Sequence, residues 1–363
     1  MRYLLSLVLV VTHLGLFAQN VNKQYIPERK TANRVEMALP QVNGYTVLRC
    51  DFHSHTVFSD GLVWPSYRIG EAWIQGLDVL AITDHIEYRP FKEYVGGDFN
   101  TSYELALPVA REYGIMLIKG TEVTRKQGVI GHFNALFIKD ANAIDKPDPE
   151  QALQAAYDQG AFIMFNHPGW AVDTCLLTGF QQKMLDKGLV RGIEVFNNDE
   201  FYPRALSWSR DRKLTVFASS DIHATMNDVL ETHVLQAAVK TFRPMTLVFV
   251  KEKSGEGVRR ALDDRRTLAY FYGNVAGEEK WLKSLFLASV QWEKVLEQGK
   301  TTFYNVTNLS GIQYKFSIGD TEYTLDGGSS IHISLPAGKR EVLLHVLNMH
   351  CYEGMHPEVS VVL

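Results

Sequence analysis

The chain has 363 residues, 46% of them hydrophobic and 21% charged, with a formal net charge of −4. That balance is ordinary for a globular protein and sufficient for a large buried core. The slight acid excess excludes a broad basic surface, so binding to duplex nucleic acid is not expected.

Arg2 precedes an apolar run from Leu4 to Phe17, and Ala18 is followed by polar residues. This pattern reads as a secretory signal peptide over residues 1–18, cut near Ala18. The run is shorter than the roughly 20 residues a membrane span needs. No cysteine follows the cut to carry a lipid. The expectation is an exported protein, periplasmic or secreted, without a stable membrane anchor after cleavage; an uncleaved anchor is the alternative. Cys50, Cys175 and Cys351 are widely spaced, make neither a disulfide framework nor a metal motif, and read as free thiols.

From Thr46 to about Phe271, apolar runs alternate with helical patterns. The runs Thr46–Cys50, Val79–Ile82, Met116–Lys119, Ala161–Phe165, Gly192–Phe196 and Thr215–Ala218 predict strands. Pro65–Gln75, Thr101–Tyr113, Asp148–Gln159 and Glu200–Arg212 predict helices, with another near Gly255–Asp264. Strand and helix in regular succession point to an α/β fold of β/α units. After Leu287 the runs Thr301–Val306, Tyr314–Ile318, Glu322–Leu325, Ile331–Leu335 and Glu341–Leu347 are separated by turn signals. They predict a small antiparallel β domain of sandwich type. The expected organisation is a barrel domain over residues 19–285 and a β domain over 286–363.

The chemistry is carried by histidines and acids that follow the strand-like runs. His53 and His55 lie two apart at the end of the first run, so both imidazoles aim to one side. The second run ends in Asp84-His85 and the third leads to Glu122, with His132 ten residues on. The fourth delivers His167; the sixth delivers Asp221 and His223, again two apart. Singly each has a plain structural reading, such as a cap or a turn. A β/α barrel, however, gathers strand C-termini onto one face. Clustered carboxylates there would repel one another unless divalent cations neutralised them. Metal binding is therefore expected.

His53-x-His55, Asp60, Asp84-His85, Glu122, His132, His167 and Asp221-x-His223 together resemble the polymerase and histidinol phosphatase (PHP) family over about residues 46–275. The Ser59-Asp60-Gly61 and Gly120–Thr124 segments are similar to its phosphodiesterase-like and nucleotide-phosphatase-like branches. The resemblance implies a distorted β/α barrel of about seven strands. It implies one metal on His53, His55 and Asp221, and a second on His132 and His167, with Glu122 bridging the two. A third would sit on Asp60, His85 and His223; some members have histidine in place of Asp60, which leaves the filling of that site open. Asp84 would orient a ligand. Mixed imidazole and carboxylate donors suit two or three divalent ions of Mn, Fe or Zn.

Arg89 and Arg125 follow His85 and Glu122 closely and are the candidate anchors for an anionic substrate; Arg191 is a weaker one. Asn197 and Asn198 are candidates to line the pocket. Tyr88, Trp170, Phe201 and Tyr202 either stack on a substrate or pack the loops, and packing is the favoured expectation. The expected activity is hydrolysis of a small organic phosphate ester, diester before monoester. Hydrolysis of a carboxylic ester, amide or lactone, and a non-catalytic metal-bound binding module, are the alternatives.

Overall fold

The computed structural model describes residues 34–172, 174–226 and 242–363. The expected signal peptide, with His13, and the histidine at 233 lie outside the described residues.

The chain opens β1 (Thr46–Asp51), α1 (Pro65–Ile74), β2 (Val79–Ile82), α2 (Thr101–Tyr113), β3 (Met116–Thr124), β4 (His132–Leu136), α3 (Pro149–Asp158) and β5 (Phe162–Phe165). It continues with α4 (Gly179–Asp186), β6 (Val190–Asn197), β7 (Glu200–Phe201), α5 (Pro203–Arg212), β8 (Thr215–Ser219), β9 (Met245–Val250), α6 (Gly255–Asp263), β10 (Thr267–Phe271) and β11 (Asn274–Gly277). Local chemistry sets several boundaries. Pro65, Pro149 and Pro203 each occupy a first helical turn, where no backbone N–H is needed. The Asp148 side chain caps α3 by accepting from Gln151 N, and Thr178 with Gln181 forms a capping box on α4.

Twelve strands form one curled sheet, which begins with a late strand, β18 (Met349–His350), in the order β18-β11-β10-β9-β1-β2-β3-β4-β5-β6, with β7 and β8 both on β6. β1, β2 and β3 run parallel, as do β5, β6 and β8. β2, β5, β8 and β9 are buried along their whole length, as expected of strands covered on both faces. The departure from a regular barrel is β4. It pairs antiparallel with both β3 and β5, and its first residue, His132, lies opposite Thr124 at the end of β3. An antiparallel strand thereby brings its N-terminus to the face where its neighbours bring their C-termini. The predicted helix from Glu200 begins only at Pro203, because Glu200 and Phe201 turn back as β7 to pair with β6.

The curl brings β8 against β9 without a ladder between them. The Thr246 hydroxyl bridges the seam, accepting from Ala218 N at 3.1 Å and donating to Ala218 O at 3.0 Å. Thr267 donates likewise to Val216 O at 2.8 Å.

After α7 (Glu279–Ser289), strands β12 (Val290–Gln298), β13 (Thr301–Asn308) and β16 (Ser330–Pro336) form a three-stranded antiparallel sheet. β14 (Tyr314–Ile318), β15 (Thr321–Leu325), β17 (Glu341–Val346) and β19 (Glu358–Val362) form a four-stranded one. β13 and β17 alternate between buried and more exposed residues, the period-two signature visible in the sequence. A core cluster runs from the large sheet through Trp281, Leu285 and Phe286 of α7 to Tyr304, Tyr314 and Phe316. β18 (Met349–His350) returns to pair with β11 at the edge of the large sheet.

The seam makes a specific demand. Thr246→Val keeps the shape but leaves the buried Ala218 N–H and C=O unpaired. We predict a loss of about 1–3 kcal/mol in unfolding free energy, read from the urea midpoint; an unchanged midpoint would show that the seam is not held there.

Candidate metal centre

Nine side chains from six loop or strand segments meet at one end of the large sheet. Glu122 lies at their middle and is completely buried. Its Oε2 is 3.2 Å from His53 Nε2, 3.4 Å from His55 Nε2 and 2.9 Å from His85 Nδ1. Its Oε1 is 3.0 Å from His132 Nδ1 and 3.8 Å from His167 Nε2. Asp221 adds a second carboxylate, with Oδ1 at 3.1 Å from His53 Nε2 and 3.0 Å from His55 Nε2. Asp60 Oδ1 faces His85 Nε2 at 3.4 Å and His223 Nε2 at 3.2 Å.

Three groups of donors converge within 4.8 Å among the described residues: His53, His55 and Asp221; His53, Glu122 and His167; and His55, Asp60, His85 and His223. His132 approaches Glu122 but belongs to none of these groups. Asp60 Oδ1 and His132 Nδ1 are buried and make no well-aligned hydrogen bond despite these contacts, and His167 Nδ1 is buried without a partner. Buried polar atoms are normally paired, and a set of mixed imidazole and carboxylate donors left in this state fits divalent cations of the Mn, Fe or Zn type.

The electrostatics describe what replaces an ion when none is bound. Burial works against a charge on His53, but Asp221, Glu194 and Glu122 outweigh it, and its pKa stands well above the ordinary value. His85 is likewise opposed by burial but raised to about 10 by Glu122 and Asp60. His55 goes the other way, to about 3, through burial and the neighbouring charges of His223 and His85. Glu122 and Asp221 fall well below the usual carboxylate range despite their burial, because imidazolium groups surround them. The carboxylates thus favour positive charge on His53, His85 and His223.

Several side chains hold the donors in place. Asp84 accepts from Thr56 N at 2.7 Å and from Ser59 Oγ at 2.8 Å, and Ser59 Oγ lies 3.4 Å from His55 Nδ1. The expected orienting part of Asp84 therefore runs through a serine. Other braces are not apparent from the sequence. Glu194, fully buried in β6, contacts His53 Nδ1 at 2.9 Å and accepts from His167 N at 2.7 Å and Asn197 Nδ2 at 2.8 Å. An acid inside the apolar run Gly192–Phe196 was the available signal. Asn166 Nδ2 donates to Glu122 Oε1 at 3.0 Å. Arg68 of α1, also buried, donates to His55 O, His223 O and Ala224 O and pairs with Glu71 at 2.6 Å. Asp51 accepts from His53 N and Ser220 N and pairs with Arg243.

The arginine expectations need correction. Arg89 donates to Phe58 O at 2.9 Å and lies over the Phe99 ring. Arg125 pairs with Glu87 and donates to Thr124 O and Lys146 O. Arg191 pairs with Asp263 at 2.9 Å. All three are spent on structural partners. The cavity above the cluster, about 540 Å³, is lined by no arginine or lysine among the described residues. Asn197 and Asn198 do line it. Tyr88 and Trp170 also line it and are 54% and 48% exposed, so they do not serve loop packing as expected. Phe201 does pack, against Phe271 and His350, and Tyr202 is buried.

A curled β/α sheet carrying a buried cluster of histidines and carboxylates defines a metallohydrolase-type domain. No protein-family model matches the chain. Over 92% of its length it superposes on the whole of a crystallised two-domain protein from Bacteroides vulgatus ATCC 8482 that contains a predicted PHP-like metal-dependent phosphoesterase, with a TM-score of 0.85 at 36% identity. A candidate metal-dependent phosphoesterase from Bifidobacterium adolescentis ATCC 15703 is similar over 52% of this chain and 96% of that one, at 16% identity and a TM-score of 0.38, too distant to carry an argument. An uncharacterised protein of Methanocaldococcus jannaschii is 35% identical over 79 residues; the match spans 21% of this chain and 34% of that relative. The chain belongs to the PHP-like metal-dependent phosphoesterase family.

The raised imidazoles give a testable sign. A group whose pKa is raised in the ion-free protein is protonated at pH 7, and a metal ion takes up only the deprotonated nitrogen. Metal binding at pH 7 should therefore release protons, and apparent affinity should rise with pH through the range of His85, about 10. Calorimetric titration with Mn in two buffers of different ionisation enthalpy reads this directly. Equal heats in both buffers would contradict it.

Proposed function

We propose that the protein is an exported metal-dependent phosphoesterase that hydrolyses small organic phosphate esters, diesters in preference to monoesters. The carrying observation is the cavity of about 540 Å³ that opens onto the histidine–carboxylate cluster and holds no cationic side chain among the described residues. His53, His55 and Asp221 would hold one ion, and His132 and His167 a second, with Glu122 between them. Asp60, His85 and His223 would hold a third. Bound divalent ions supply an acid that polarises a phosphoryl oxygen and a water made nucleophilic near neutral pH. The protein's part is to fix the donors. Glu194 holds the His53 ring through Nδ1, which leaves Nε2 facing Glu122 and Asp221. Arg68 ties the backbones of His55 and His223 together.

The diester preference follows from charge. A diester brings one negative charge, which ions alone can meet. A monoester dianion calls for additional cationic groups, and Arg89 and Arg125 are engaged elsewhere. The same lack of arginine and lysine supports a second reading, hydrolysis of a carboxylic ester, amide or lactone, whose carbonyl needs no such partner. Export rests on the sequence of residues 1–18. In this reading the working unit is the barrel part of the described residues before 286, with residues 286–363 as an accessory β domain, and α7 runs across that boundary.

The test is purified protein with a chromogenic phosphate diester, the matching monoester and a lactone, with and without Mn. We expect Mn-dependent turnover of the diester above the monoester. Glu122→Gln should lower kcat at least about 100-fold with an unchanged far-UV circular dichroism spectrum. Lactone turnover without diester turnover selects the second reading, and full activity in Glu122→Gln removes both.

A further inference from the structure

We infer that the site selects phosphodiesters in which one alcohol carries a positive charge, an amine or a quaternary ammonium group. This rests on the phosphoesterase reading above and specifies its substrate class. The cavity has three kinds of surface. Its floor is the donor cluster, where His167 presents a buried imidazole with an unpartnered nitrogen. Its walls include two half-exposed aromatic rings on different loops. Trp170 lies 5.2 Å from the His167 ring and 5.6 Å from that of His132, and Tyr88 lies 6.3 Å from the ring of His85. Its lip is the turn after β6 and the start of β7, where Asp199 and Glu200 are exposed carboxylates.

Each surface has a preference. Aromatic faces attract cations through their quadrupole, most strongly where water is partly excluded. Carboxylates at the lip favour a positive group and repel a second anion. With ions bound at the floor, Asp199 and Glu200 are the carboxylates left at the outer edge of the cavity, and no arginine or lysine lines it to pair with them among the described residues. A zwitterionic diester matches all three surfaces, its phosphate over the ions and its cationic alcohol between the rings and the lip. A neutral alkyl alcohol of the same shape fills the aromatic wall but leaves the lip unmatched.

The lip is also fixed in place. Asn198 takes a left-handed backbone conformation, φ 52°, and donates its N–H to Ser219 O at 3.1 Å. Asn197 is anchored on Glu194 at 2.8 Å, and Tyr202 donates to Glu200. Recognition at the lip is therefore mounted on the strand that braces His53 and His167.

The test compares two chromogenic diesters that differ only in charge: p-nitrophenyl phosphorylcholine and its carbon isostere, p-nitrophenyl 3,3-dimethylbutyl phosphate. The Mn-loaded full chain should turn over the cationic diester with kcat/KM about tenfold higher or more, mainly through KM, and added salt should narrow the gap. The double variant Asp199→Asn, Glu200→Gln should move the ratio toward one. Equal turnover of the pair, or a ratio the double variant does not change, overturns the inference while leaving the phosphoesterase reading intact. Should neither diester turn over, that reading fails, and calorimetric binding decides the inference alone. Phosphorylcholine should then bind the Mn-loaded protein about tenfold more tightly than 3,3-dimethylbutyl phosphate, and equal binding overturns it.

Discussion

A fully buried carboxylate surrounded by five imidazoles is the constraint on which the rest of this structure depends. Glu122 reaches histidines carried by four separate segments of the sheet. An isolated buried carboxylate would be costly, and two more, Asp60 and Asp221, share the site. Such an arrangement persists only if positive charge is supplied, by protonated imidazoles such as His53, His85 and His223 or by divalent ions. Asp60 Oδ1 and His132 Nδ1 still make no well-aligned hydrogen bond, and His167 Nδ1 has no partner. Ions would use them. The cluster is therefore built for a cargo of higher charge and higher coordination number than protons offer.

The fold delivers these groups by a parallel sheet with one reversal. Parallel strands bring His53, His85, His167 and Asp221 to one end. The antiparallel β4 brings His132 there by its first residue, in register with the end of β3. Around the donors lies a layer of buried charge that fixes backbone as well as side chain: Arg68 with Glu71, Asp51 with Arg243, and Glu194 beneath His53 and His167. Such outer partners set ring orientation and donor basicity. They also couple the loops, since Arg68 joins the backbone after β1 to that after β8.

Much of this was legible in the sequence because it is local. His53-x-His55 and Asp221-x-His223 follow apolar runs, and period-two alternation alone places each pair on one side. The runs Val79–Ile82 and Tyr314–Ile318 and the helix Thr101–Tyr113 appear with the boundaries read from the sequence. What escaped was tertiary. Nothing local states that β4 runs backward, because its direction is set by pairing on both sides. Nearness in sequence to His85 and Glu122 suggested Arg89 and Arg125, yet it carries no information on direction, and both side chains turn to backbone carbonyls and an acid outside the cavity. Arg68 was invisible for the converse reason: besides Glu71 on its own helix, its partners are carbonyls more than ten residues away. Glu194 alone left a trace, as an acid within an apolar strand.

The most direct test of the central claim is anomalous diffraction at the manganese edge from crystals grown with Mn. The account predicts at least two anomalous peaks inside the cluster, flanking Glu122, with His53, His55 and Asp221 around one and His167 beside another. A map without peaks there, or with peaks only at surface carboxylates, would contradict it.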